Sequence, residues 1–268
     1  MSGRVCAYCQ RDATDGRGQV EHFRPKAVYR WLQYEFSNYY LSCSMCNGQR
    51  KLSKFPLEEG APAMTTTNGL TELDERRLLI DPGIDDVERW VRVDWRDPLC
   101  SVEAVDGLSS EASQRVETTI RFFHLNTNLE TRQDRRDKVN DALALVVEVD
   151  DGNDFARHQL LKMANRYRPH GTAIRQLIAE TTDLPLPTLE DDLAWYVKRI
   201  LRAVHEGEDL LAAETDPARR RDLNRTIGEA YWSLAVLLKD PPGHPAVDAA
   251  GWIDPPTLTR LQGYVTRL

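Results

Sequence analysis

Apolar and polar residues alternate with two different periods along this chain, and the change of period divides it. In the N-terminal third the alternation is short and strand-like. Gln19–Phe23 and Asn38–Leu41 read as strands, and Trp90–Trp95 alternates at period two. Leu78-Leu79-Ile80 runs into Asp81-Pro82-Gly83, which reads as a strand ending in a turn. Ser42–Leu52 reads as a helix entry with Ser42 or Ser44 as cap, and the polar stretch 60–69 reads as a linker. From Ser109 onward the helical period dominates. Helices are expected over Glu111–Phe123, Leu129–Val149, Phe155–Tyr167 and Gly171–Thr181. Two longer ones follow. Leu189–Glu214 has Thr188 and Asp191 set as a capping box, and Pro217–Lys239 has Asp216 as N-cap and proline at its first position. Pro241-Pro242-Gly243 stops that helix, and Asp254-Pro255 starts a last short one. No internal repeat is visible. The expected fold class is α+β: a small strand-containing unit over residues 1–60, a mixed then helical continuation over 61–184, and a helical region over 185–268.

Composition changes this picture little. With 41% hydrophobic and 29% charged residues over 268 positions, the chain has enough apolar material for a core. It has no apolar run of membrane-spanning length and no signal-peptide pattern, so no membrane partner and a cytoplasmic location are expected. Charge adds more. The net value of -7 argues against a generic nucleic-acid binder. Residues 1–60, however, carry nine Lys/Arg against six Asp/Glu, a local excess of +3 on an otherwise acidic body. That split suits local phosphate contact but not long-range capture of nucleic acid.

The chemistry is concentrated in the first fifth. Cys6/Cys9 and Cys43/Cys46 form two CxxC pairs separated by 33 residues. Two such turns can surround one tetrahedral zinc, and in a reducing compartment zinc is favoured over disulfides. Cys100 has no partner motif and reads as a buried thiol. The long insert between the pairs carries Glu21-His22-Phe23-Arg24-Pro25-Lys26, Asn38 and, just after the last cysteine, Asn47. Phosphodiester hydrolysis needs a base for the water and a cation for the leaving oxygen. Histidine suits the first task near neutral pH, and the oxygens of Glu21 and Asn47 are of the kind Mg²⁺ accepts. On a regular strand Glu21 and His22 would face opposite sides. For both to serve one site the strand must end or bulge there. Arg24, Lys26, Arg50 and Lys51 are candidates to hold flanking phosphates, against the alternative of a solvated surface. Arg132, Arg135, Arg136 and Lys138 read first as a solvated helix face.

The strings CxxC…EHFRPK…NYYLSCSMCNGQRK resemble the HNH endonucleases, whose fold is a ββα-metal finger. Within that group they are similar to the PtuB-like HNH nucleases of Septu-type anti-phage systems. Leu79-Ile-Asp-Pro82, Asp85-Asp86 and Leu125-Asn126 with Leu129 and Arg132 add to the likeness, which covers about residues 5–135, extends more weakly to Ile178, and has no matching string after about Pro185. The resemblance implies roles. His22 would be the general base, Asn38 would orient the histidine and its loop, and Glu21 and Asn47 would hold a catalytic Mg²⁺ or Mn²⁺. Cys6, Cys9, Cys43 and Cys46 would hold a structural Zn²⁺. It also implies nucleic acid as substrate and a PtuA-like ABC-type ATPase as partner, with the C-terminal helices as a docking element. Two alternatives stand beside it: a non-catalytic zinc module that binds nucleic acid or a protein, and a general host DNA nuclease without a defence role.

Overall fold

The computed structural model describes residues 5–13, 18–66, 68 and 75–238. The chain divides into two compact units, residues 1–186 and 187–268.

The first unit is built on two small antiparallel sheets and five α-helices among its described residues. Strand β1 (Gly18–His22) pairs with β2 (Tyr39–Cys43), and the register runs without interruption from Gly18 opposite Cys43 to His22 opposite Tyr39. A short π-helix, Met45–Lys51, follows β2 directly. The helix expected from Ser42 therefore starts later. Ser42 belongs to the strand, and Ser44 takes the N-cap position without a side-chain cap bond. A π-helix widens the turn, and its i→i+5 bond is seen where the Leu52 amide donates to the Asn47 carbonyl at 2.8 Å.

The segment Leu78–Ile80, expected as a strand, is not one. The Leu78 amide donates to the Pro56 carbonyl at 2.9 Å, but the Ile80 amide is taken by the Thr119 hydroxyl at 2.8 Å. Side-chain satisfaction replaces a ladder. Helix α1 (Val87–Trp90) opens under an Asp86 cap and leads into β3 (Val91–Asp94). β3 pairs with β4 (Ser101–Ala104), a four-residue strand too short to show in the pattern.

Helices α2 (Ser110–Phe122), α3 (Leu129–Asp150), α4 (Asp154–Met163) and α5 (Gly171–Thr181) supply the rest of this unit. The side chains of Ser109, Asn128 and Asn153 cap the first three. α4 stops at Met163, short of the expected Tyr167. The Asn165 side chain instead accepts from the Tyr167 amide and turns the chain toward α5. Val116, Val139, Leu160, Ile174, Leu177 and Ile178 are fully buried in one core with Phe23 and the cysteines. Arg135, expected on a solvated face, lies inside this core. Its guanidinium donates to the carbonyls of Cys100 and Leu125 and so closes two loops. Cys100 is buried, as its isolation implied.

Among its described residues the second unit holds a helical pair, α6 (Leu189–Ala213) and α7 (Pro217–Leu238). The Thr188/Asp191 capping box is present, and the Asp216 carboxylate accepts from the amides of Ala218 and Arg219 at 2.8 and 2.9 Å. Val197, Leu201 and Val204 repeat at helical spacing and are buried with Ile227 and Tyr231. At Gly207 a β-carbon would stand 2.9 Å from the Ile227 side chain, so glycine sets how closely the helices approach. The expected helix at Asp254 falls outside the described residues. No helix among the described residues is long and apolar enough to cross a membrane.

Candidate functional site

The four cysteines meet as their spacing requires. Cys6 and Cys9 sit on a knuckle closed by the Val5–Asp12 bridge, where Gln10 adopts a positive φ of 59°. Cys43 ends β2, and Cys46 lies in the first turn of the π-helix. All four sulfurs lie within 4.8 Å of one another, and all four residues are buried. Four thiolates about 2.3 Å from a central zinc would lie about 3.8 Å apart. Cys9 Sγ and Cys43 Sγ are 3.8 Å apart, far beyond a disulfide bond. The donor set fits zinc by number, chemistry and spacing. The Ser42 hydroxyl lies 3.6 Å from Cys6 Sγ and supports one ligand from outside. With four protein ligands such an ion keeps no open position, so its role is structural.

The cluster fastens the hairpin to the π-helix, and the remaining candidates lie on those two elements. His22 is the last residue of β1 and is half-buried. Its Nε2 stands 3.1 Å from the Gln33 carbonyl. A carbonyl only accepts, so Nε2 carries the hydrogen and the neutral ring presents Nδ1 as its basic atom. The Tyr39 hydroxyl donates to the same carbonyl, and its ring meets the imidazole edge-on at 4.9 Å. Gln33 belongs to the loop between the strands, and Asn38 holds that loop. The buried Asn38 side chain accepts from the Arg24 amide at 2.7 Å and donates to the carbonyls of Arg24 at 3.0 Å and Leu32 at 3.2 Å. Its backbone carbonyl accepts from the Phe23 amide at 2.9 Å. Both ends of the loop are tied through one residue.

Glu21 corrects an expectation. The strand neither ends nor bulges before His22, so Glu21 points to the opposite face. It is 2% exposed and pairs with Lys51, whose Nζ lies 2.5 Å from Oε1. The Tyr8 hydroxyl donates to the same oxygen at 3.3 Å. Burial is the main cause that raises the Glu21 carboxyl above its ordinary range, with Lys51 acting against it. Burial likewise lowers the Lys51 ammonium. Asn47 and Lys51 lie four residues apart on the π-helix and meet the outer edge of β1. Asn47 Nδ2 donates to the Val20 carbonyl at 3.4 Å and Lys51 Nζ to the His22 carbonyl at 2.8 Å. Those two carbonyls flank Glu21. Asn47 is thus anchored through its nitrogen, and its Oδ1 has no hydrogen-bond partner among the described residues.

The four basic candidates divide. Lys51 is 0% exposed in the Glu21 pair. Arg24 is buried against Glu75 at 2.8 Å, between the rings of Phe23 and Phe55. Neither presents its charge to a phosphate in this state, because a buried cation is spent on its partner. Arg50 is half-buried and donates to the Phe123 carbonyl, whereas Lys26 is exposed.

Gln33, Tyr39, Tyr29 and Glu75 also shape the site and were not anticipated. The Tyr29 hydroxyl and the Arg24 guanidinium converge on the buried Glu75 carboxylate and pin the loop from below. A backbone carbonyl such as that of Gln33 leaves no mark in a sequence. Lys51 did leave one: four residues after Asn47 on a helix, it shares that residue's face.

Comparison with known proteins adds one relative. A stretch of the chain is 29% identical over 100 residues to Septu protein PtuB of Bacillus mycoides (strain KBAB4), covering 32% of this chain and 33% of that protein. The chain thus matches about a third of the relative's length. It matches no protein-family model and no solved structure.

Proposed function

We propose that this chain is a metal-dependent nuclease of the HNH type that hydrolyses phosphodiester bonds of nucleic acid, working in anti-phage defence with an ABC-type ATPase of the PtuA kind. The observation that carries the reading is the setting of His22. A half-buried imidazole ends a strand, its Nε2–H is fixed on a carbonyl, and Asn38 locks the loop supplying that carbonyl. A zinc-type cysteine frame holds the adjacent helix.

In this reading His22 Nδ1 accepts a proton from water as the water oxygen bonds to phosphorus. The bond from phosphorus to the leaving oxygen breaks, and that oxygen takes a proton from solvent water, while the proton on His22 is later returned to solvent. Asn47 Oδ1 and the Glu21 carboxylate are the hard oxygen donors for a divalent ion. Because regular alternation turns Glu21 and His22 to opposite faces of β1, this reading requires the strand end to open at His22 when substrate and ion bind. The fit rests on two features: the unengaged Oδ1, and a carboxylate that already holds a cation, the Lys51 ammonium. A bound Mg²⁺ or Mn²⁺ would supply positive charge for the phosphate and leaving oxygens. In this reading the exposed Lys26 and the half-buried Arg50 contact flanking phosphates. Septu protein PtuB as a relative supports the defence role and the ATPase partner.

The rival reading, a non-catalytic zinc module, draws on the Glu21–Lys51 pair, which engages the carboxylate a metal would need. The test incubates purified chain, alone and with an ABC-type ATPase of the PtuA kind, with plasmid, single-stranded DNA and tRNA in Mg²⁺, Mn²⁺ or EDTA. Metal-dependent cleavage by wild type and none by His22→Ala, at equal zinc content and melting temperature, is expected. No cleavage under any condition, or an active His22→Ala, overturns the proposal.

A further inference from the structure

Among the described residues Lys51 is the cation paired with the Glu21 carboxylate, and its surroundings resemble an ion site more than a surface ion pair. Its ammonium contacts one carboxylate oxygen, at 2.5 Å, and one backbone carbonyl, that of His22, at 2.8 Å. Carboxylate and carbonyl oxygens are the ligand types of Mg²⁺ and Mn²⁺. Asn47 lies on the same helix face, and its Nδ2 donates to the Val20 carbonyl, the next one along the same strand edge, at 3.4 Å, which leaves its Oδ1 as a third oxygen of the same class. A lysine ammonium is a compact point charge on a flexible four-carbon stem, so it can occupy such a position and leave it. The stem starts at the last residue of a single wide π-turn, where Leu52 already departs to a φ of 51°.

We propose that Lys51 is a built-in competitor for the divalent cation: its ammonium holds Glu21 in the metal-free protein and leaves when the ion binds. This rests on the reading above, in which Glu21 and Asn47 are the metal donors. It also reconciles the proposed ligand role of Glu21 with the burial of its carboxylate against lysine. Two cations a few ångströms apart repel strongly in a partly buried site, so lysine and ion exclude one another. A displaced ammonium needs a new anion, and a nucleic-acid phosphate supplies one. Metal uptake is therefore coupled to substrate: the protein alone holds the ion weakly, and nucleic acid strengthens it.

The test titrates Mn²⁺ alone, with no nucleic acid, and reads free ion by electron paramagnetic resonance. Lys51→Met should bind Mn²⁺ at least tenfold tighter than wild type, and adding Glu21→Gln should abolish that gain. A folded Lys51→Met that binds no tighter than wild type overturns the proposal. Lys51→Gln, which is neutral but keeps hydrogen-bond donors, gives the same reading if the methionine variant fails to fold. A second measurement uses the wild-type chain with ¹³C-labelled lysine side chains. Saturation with Mg²⁺ should move the Lys51 ε-carbon signal toward that of a solvated lysine. An unmoved Lys51 signal, whether or not Mg²⁺ binds elsewhere, overturns it. Because no substrate is present, failure of every cleavage assay alongside an intact Lys51→Met gain would sink the nuclease reading and leave the competition standing.

Discussion

Replacing Asn38 should both loosen the first unit and disable His22, and the size of each effect follows from three hydrogen bonds. Asn38→Ala removes the acceptor for the Arg24 amide at 2.7 Å and the donor to the carbonyls of Arg24 and Leu32 at 3.0 and 3.2 Å. Each net bond contributes about 0.5–1.5 kcal/mol, and each buried group left unpaired costs about 1–3 kcal/mol. Water reaching one of the three carbonyl or amide groups would soften the loss. The expected destabilisation is about 2–5 kcal/mol, a large share of the roughly 5–15 kcal/mol that holds a typical domain. Asn38→Asp separates geometry from chemistry. It keeps the acceptor but turns the donating end into a second anionic oxygen facing two carbonyls. Aspartate should therefore stabilise no better than alanine, despite being nearly isosteric. Leu32 precedes Gln33, whose carbonyl holds His22, so a shifted loop misplaces the imidazole. A displacement of about 1 Å can cost roughly 100-fold in rate. Urea unfolding of the three proteins, followed by single-turnover cleavage under folded conditions, measures both effects. An Asn38→Asp protein as stable as wild type would refute the hydrogen-bond argument. Full activity in a folded Asn38→Ala would refute the link to His22.

Cys43→Ser should lose the metal and unfold the hairpin, with elemental analysis giving about one zinc per wild-type chain and none in the variant; folded wild type without zinc would end the frame argument. Asn47→Ala should raise the Mn²⁺ needed for half-maximal cleavage, and excess Mn²⁺ should rescue it but not His22→Ala. Acid should destabilise the first unit through His170 and Asp134, which lie 2.9 Å apart between α5 and α3. Burial lowers the His170 imidazole below its ordinary value, and the His170 hydrogen bond lowers the Asp134 carboxyl. The unfolded chain thus takes up protons first, so stability present at pH 7 falls as pH drops below about 6.5 and falls further through the carboxyl range. His170→Gln should flatten the upper part of that profile in urea melts. Co-expression with a neighbouring ATPase should yield one complex on gel filtration, and removing residues 187–268 should release it; separate elution of the intact pair would refute docking.

The local elements were legible because each rests on neighbours in sequence. Capping at Thr188 and Asp216 needs only a side chain and an amide two or three residues away, and helix propensity sums over adjacent positions. The cysteine cluster was legible for a similar reason, since each CxxC pair is a local device and two such devices leave little else to do. Where bonding partners are distant, the pattern failed. Leu78–Ile80 has strand composition, but Thr119, some forty positions on, takes the amide that a ladder would have used. Arg135 has the look of a solvent-facing residue, yet two carbonyls from separate loops make its burial tolerable.

The candidate site divides along the same line. Sequence by itself determined the chemical inventory: four thiols, one imidazole beside one carboxylate, and two amides at suitable spacing. Only the tertiary structure decided how the inventory is used. β1 stays regular through His22, so alternation sends Glu21 to the far face. The π-helix lies along the open edge of β1 and brings Lys51 to that carboxylate and to the His22 carbonyl. A lysine expected at a phosphate thereby becomes a buried counter-ion. The choice depends on desolvation and on which charges the packing brings within a few ångströms, quantities that residue identity and spacing do not contain.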